Sequence, residues 1–239
     1  MTIGTLPGEP ARARVRPRSD ARATASRAGP HGVMELGMIL RIVRGGVRDE
    51  DLDALRTTAT RDYEAAARGA PGLERFHAAI RPAPEGGSEL VVLTAWETVD
   101  HAMRAYHGDL DAVRTLAGLD AYADLRDVAY FELDEARERR PDVEPEFLRV
   151  SIGRVARGAD ADIQRELRQR MGELGSIVTE AWVARRILDA AVEIAFISAW
   201  EREDPAQPLD AALWPDVSAR YDAFEVAVYR PIASGPGGS

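Results

Sequence analysis

The sequence predicts an α+β chain in which one βαββαβ unit, the split βαβ arrangement of ferredoxin-like folds, is written twice. Three observations carry this. Residues 90–97, LVVLTAWE, return in the second half of the chain as residues 194–201, IAFISAWE. The same succession of strand-like and helix-like stretches surrounds each copy. Between them lies a charged stretch with two prolines and no apolar face, DEARERRPDVEPE, which reads as a connector. A repeat of this length suits a small domain rather than a solenoid unit.

Taken in order, residues 1–34 are rich in Arg, Ala and Pro and are expected to form a disordered leader. Six arginines there face only Glu9 and Asp20. The first domain is expected over residues 35–134. Its first strand is the apolar run 36–43, ended by Gly45-Gly46. Asp49-Glu50-Asp51 is an acidic helix start, and Leu52, Leu55, Ala59, Tyr63 and Ala66 recur at helical spacing. Residues 73–81 and 88–97 form a hairpin about Pro84-Glu85-Gly86-Gly87. A second helix follows from Val99, with Met103, Tyr106, Leu110 and Val113 on its stripe, and the last strand covers 126–133.

After the linker, residues 135–145, the pattern restarts in a second domain over 146–232. Residues 147–155 form a strand and 160–174 a helix with Ile163, Leu167, Met171 and Leu174 on one side. Residues 176–188 and 191–201 form a hairpin, and 225–232 the last strand. Pro205, Pro208 and Pro215 keep the second helix of this half short or broken. Residues 233–239 form a flexible tail. Arg41, Arg44 and Gly45 match Arg154, Arg157 and Gly158 at a constant offset, Thr94 matches Ser198, and Tyr130 matches Tyr229.

Helices can cover only one face of each sheet, and the other face is apolar too. The economical arrangement packs the two sheets together as a pseudo-two-fold dimer within one chain, which predicts a monomer or weak homo-oligomer.

Composition narrows the function. The 239 residues are 45% hydrophobic and 30% charged, ordinary for a globular protein. No cysteine is present, which removes disulfides, thiolate metal sites and cysteine nucleophiles and fits a cytoplasmic location. The 31 basic residues are all arginine, so no Schiff-base or P-loop lysine exists. A net charge of −9 argues against nucleic acid as partner, and no stretch has the run of apolar residues of a membrane span. No metal-ligand spacing stands in an expected element.

The element order, the Ala-Trp-Glu at the end of the third strand, and the helix running straight on from it (Trp96-Glu-Thr-Val-Asp-His-Ala-Met) resemble the antibiotic biosynthesis monooxygenase domain of the dimeric α/β-barrel superfamily. The resemblance covers both halves and is stronger in the first. It implies two ferredoxin-like repeats packed as an intramolecular α/β barrel. The superfamily includes cofactor-independent oxygenases acting on polycyclic phenols, haem-degrading enzymes, chlorite-dismutase-like haem proteins and proteins without established chemistry, so the reaction must be read from site residues.

Strand alternation puts Val92, Thr94 and Trp96 on one face, repeated by Phe196, Ser198 and Trp200. A tryptophan with a hydroxyl two residues earlier fits either a core anchor or the border of an apolar pocket. Trp96, Thr94, Tyr106 and Met103 are the candidate substrate-binding residues. His77, His107 and Arg41 are the candidate catalytic residues: the histidines as bases, the arginine as a clamp for an anionic or phenolate oxygen. Arg41 and Arg154 both sit in apolar runs, where an arginine is ion-paired or functional. His31 falls in the leader, and His101 lies on the polar side of its helix.

The resemblance implies that a haem ligand would lie on the helix after Trp96, near His107. The haem-degrading branch also uses a first-strand asparagine, and this chain has no asparagine. The expected function is therefore a small-molecule oxygenase, without cofactor, acting on an apolar aromatic or phenolic substrate in the barrel cavity of the first half. The alternative is a non-catalytic ligand-binding protein, haem included, or a structural or stress-response barrel.

Overall fold

The computed structural model describes residues 37–109, 111–138, 140, 142–202 and 213–237. The expectations for the leader 1–34, for Leu36, Leu110, Pro205 and Pro208, and for the last two residues of the tail lie outside these.

Eight antiparallel strands close into one barrel in the order β1-β3-β2-β8-β5-β7-β6-β4. In the first half these are β1 (Ile39–Val47), β2 (Leu73–Pro82), β3 (Ser88–Trp96) and β4 (Asp124–Glu138). In the second they are β5 (Phe147–Ala156), β6 (Val178–Ile187), β7 (Ala191–Trp200) and β8 (Ala223–Pro236). Each half is thus a four-stranded ferredoxin-like sheet, β4-β1-β3-β2 and β8-β5-β7-β6. The sheets face each other across the interior, and their edges are joined by the β2–β8 and β4–β6 ladders. Closure leaves no free sheet edge.

Helices cover the outer face of each sheet. On the first lie α1 (Leu52–Thr58), a π-helical stretch (Ala59–Tyr63), α2 (Glu64–Arg68) and α3 (Val99–Ala105). On the second lie α4 (Asp160–Arg170) and the short α5 (Pro215–Ser218), which begins at a proline. The π stretch inserts one residue into the turn, so the buried stripe runs Leu55, Ala59, Tyr63, Ala67 rather than through Ala66.

The apolar residues fall into three cores. One fills the barrel, with Leu40, Leu93, Phe131, Leu148, Trp182, Ile197 and Tyr229 among its members. A second lies between the first sheet and its helices and contains Tyr63, Phe76, Trp96 and Tyr106. The third is its counterpart in the second half, with Leu167, Phe196, Trp200 and Val217. The near-continuous apolar strands follow from this, since both faces are covered.

Four expectations are corrected. β1 does not stop at Gly45-Gly46: it runs through them to Val47, paired with Glu89 and Leu90 of β3. The linker over 135–145 is strand in its first part, because Glu135–Glu138 extend β4 and pair with β6; the side chains are charged because this is the barrel rim, while the backbone makes the ladder. The tail over 233–239 likewise begins as strand, and residues 233–236 of β8 pair with β2 to close the barrel. The helix after Trp96 ends at Ala105, and Val113 is exposed.

Register also corrects the internal matching. Ile39 faces Trp96 as Phe147 faces Trp200, so the counterpart of Arg41 is Arg149, not Arg154. Phe131 pairs with Leu40 as Tyr229 pairs with Leu148. Tyr229 therefore matches Phe131, and Tyr130 matches Val228.

Candidate functional site

β1 alternates between the two faces of its sheet. Leu40 and Ile42 point into the barrel, while Arg41 points outward beneath the helices and is fully buried. Its Nε donates to the Tyr130 hydroxyl at 2.5 Å and its Nη2 to the Ala112 carbonyl at 2.7 Å. Its guanidinium carbon sits 4.0 Å above the centre of the Tyr106 ring, a cation–π contact. The remaining Nη1 is buried and has no hydrogen-bond partner. Among the described residues no carboxylate is within ion-pair distance of it.

Two phenols are packed into the same buried cluster. Tyr106, at the end of α3, packs edge-on against Trp96 with ring centres 5.8 Å apart. Tyr63, from the π stretch, packs edge-on against Phe76 at 5.7 Å. Both are buried; among the described residues the Tyr63 hydroxyl has no hydrogen-bond partner, while that of Tyr106 lies against Thr94 and Arg41. Burial raises the pKa of each; Arg41 pulls each back without reversing the direction. Tyr130 follows the same rule, raised by burial against the pull of Arg41. All three stay neutral phenols that can donate to an anion.

The hydroxyls two residues before each tryptophan have a definite partner. Thr94 accepts the Trp96 indole N–H at 3.0 Å, and Ser198 accepts that of Trp200 at 2.8 Å. Both indoles are thereby satisfied inside apolar cores.

The structure brings together Arg41, Thr94, Trp96 and Tyr106 of the sequence-derived candidates. Met103 is half-buried on α3 and outside the core cluster. His107 is exposed in the turn after α3 at φ 56°, so it supplies no base to the chamber. The helix ends two residues earlier, which is why the helical stripe misplaced it. His77 is buried but on the opposite face of the sheet, inside the barrel. The interior of the barrel is packed with side chains, and the Arg41 cluster lies outside the barrel wall. Tyr63 and Tyr130 were missed as site residues. Their signal was present, since strand pairing sets Tyr130 beside Arg41.

Arg154 differs from Arg41: it pairs with Glu193 at 2.7 Å and is half-exposed. Burial alone would raise the Glu193 pKa, but Arg154 and Arg186 together hold it below its ordinary value. This is the ion-paired strand-end arginine.

Haem does not fit the described residues. Thr98 caps α3 by accepting the His101 backbone N–H, and the His101 ring lies against Thr98 and Glu97, His107 faces solvent, and His77 is engaged within the barrel. No described histidine is directed into the chamber as an axial ligand. Among the described residues no cluster of three or more His, Asp or Glu is placed to hold a metal ion, and no helix is long and apolar enough to cross a membrane.

No protein-family model matches the chain, and no curated protein matches its sequence. Solved structures do match its fold. A candidate monooxygenase from Fusobacterium nucleatum superposes with a TM-score of 0.61 at 14% identity, over 86% of this chain and 98% of that one. A candidate monooxygenase from Lactobacillus acidophilus gives 0.59 at 12%, over 84% and 97%. An anthrone oxidase-like protein gives 0.54 at 13%, over 86% and 95%. At these identities the likeness establishes the fold alone, a duplicated ferredoxin-like α/β barrel.

Proposed function

We propose that the first half binds an electron-rich aromatic molecule with an acidic hydroxyl, a phenol, and that the chain is a cofactor-independent oxygenase of the antibiotic biosynthesis monooxygenase type. One observation carries the reading: among the described residues Arg41 is a fully buried cation whose Nη1 has no hydrogen-bond partner and which has no carboxylate within ion-pair distance. Burying an uncompensated charge is costly, and an anion at Nη1 would relieve that cost without disturbing the bonds to Tyr130 and Ala112. Tyr63 and Tyr106 add neutral donors, and Trp96 and Phe76 supply aromatic walls.

In this reading the protein's part is electrostatic. Arg41 lowers the pKa of the bound phenol, so the substrate is held as its phenolate in a dry chamber. The electron-rich anion then reacts with dioxygen, which is the oxidant. Tyr63, Tyr106 and Tyr130 cannot act as bases near neutrality, since burial raises the pKa of each. Rate should therefore follow the ionisation of the substrate, shifted to lower pH than in water.

The shortage of a neutral-pH base favours a second reading, a receptor that binds a phenolate without turning it over. Oxygen uptake on anthrone and on naphthols, with binding followed by Trp fluorescence, separates the two. Uptake that is lost in Arg41→Met supports the oxygenase. Arg41-dependent binding without uptake supports the receptor. Binding and uptake both unaffected by Arg41→Met would contradict the site.

A further inference from the structure

A second group of chemically competent side chains lies inside the barrel, away from Arg41. His77 on β2 is buried, with Nδ1 2.9 Å from the hydroxyl of Ser234 on β8. Its Nε2 is hydrogen-bonded to the carboxylate of Glu180, on β6, the strand diametrically opposite β2 in the barrel order. The other Glu180 oxygen accepts from Arg75 Nε at 2.7 Å. A carboxylate only accepts, so Nε2 carries a proton, and in the neutral form of the ring Nδ1 is the acceptor for the Ser234 hydroxyl. Hydroxyl, imidazole and buried carboxylate stand in the order that nucleophilic catalysis requires.

The duplication makes this group specific. Equivalent positions can be read from the two hairpins, where Leu73 and Val178 each face the tryptophan of the partner strand. On that register Arg75 corresponds to Glu180 and His77 to Trp182. Ser234, opposite His77, corresponds to Ala136, opposite Trp182. Arg75 thus meets its own counterpart, and His77 lies against its counterpart with ring centres 5.4 Å apart. A symmetric pair of identical halves would set like against like; only divergence within one chain yields the Ser–His–Glu sequence, once.

We propose that Ser234, His77 and Glu180 form an acyl-transfer site at the rim of the barrel for small activated esters. Ser234 is half-buried next to fully buried partners, and Arg75 holds the second oxygen of Glu180 in place. Ser234 Oγ bonds to the ester carbonyl carbon while its proton passes to His77 Nδ1. The C–O bond to the alcohol breaks and the alcohol leaves with that proton. Water then releases the acid and regenerates Ser234 by the same route. Glu180 acts as a positioning residue, fixing the tautomer of His77.

The test treats the full chain with a fluorophosphonate and with p-nitrophenyl acetate, followed by intact mass and peptide mapping. One adduct on Ser234, absent in Ser234→Ala and formed at least about tenfold more slowly in His77→Gln, is the expected result. No adduct on Ser234 in the wild-type chain would overturn the proposal. So would labelling of Ser234 at an unchanged rate in folded His77→Gln; the wild-type and Ser234→Ala results decide the matter if that variant does not fold.

Discussion

The outer chambers of the two halves start from the same plan and end differently. Each has a buried arginine at the same place on its first strand, Arg41 and Arg149, and each has a tryptophan whose indole donates to a hydroxyl two residues earlier. Around Arg41 stand three phenols. Beside Arg149, the position of Tyr130 is held by Val228, and the described helix nearest that end of the second half is the four-residue α5. In the second half Phe196, Trp214 and Val217 line a small cavity of about 20 Å³, room for about one water. The arginine–tryptophan frame belongs to the fold, and the ring of aromatic hydroxyls belongs to one half.

The largest effects test the shared frame. Trp96→Ala and Trp200→Ala should each cost about 3–5 kcal/mol in chemical denaturation, while only Trp96→Ala weakens phenol binding. Equal loss of binding in both would erase the difference between the halves.

Next comes the axis where the halves meet. Burial would raise the Glu180 pKa, but His77 and Arg75 together hold it below its ordinary value of 4.5. A lowered folded-state pKa means stability present above that ordinary value and lost as pH falls through the folded value. Denaturation midpoints measured at pH 6 and pH 3.5 should therefore drop more in the wild type than in Glu180→Gln. Equal drops would remove Glu180 from the acid sensitivity.

The smallest effect isolates one hydroxyl. Tyr130→Phe removes the acceptor for Arg41 Nε and should weaken phenolate binding by about 0.5–1.5 kcal/mol, a few-fold to about tenfold, whereas Val228→Ala in the other half should leave it unchanged. Titration of both variants checks the pair.

The architecture was legible because the repeated Ala-Trp-Glu marks one structural position twice, the end of the third strand, and because buried strands need continuous apolar runs. The rims were not legible. Residues 135–138 read as a charged connector since ladder formation uses backbone alone, and β8 extends beyond residue 232 for the same reason. Matching Arg41 to Arg154 followed a constant spacing in sequence, but pairing with Trp96 and Trp200 sets the register earlier on the same strand, at Arg149. Arg41 was legible as a charge in an apolar run. Glu180, in the equally apolar β6, carried the same signal and was overlooked, because its partners Arg75 and His77 come from the opposite side of the barrel.

The central claim is that Arg41, and not its counterpart, is an anion receptor. Calorimetric titration of a naphtholate into the wild type, Arg41→Met and Arg149→Met tests it most directly. The account predicts one site per chain, an affinity loss on the order of 10- to 100-fold in Arg41→Met, and binding within twofold of wild type in Arg149→Met. Two equivalent sites per chain, or undiminished affinity in Arg41→Met, would contradict it.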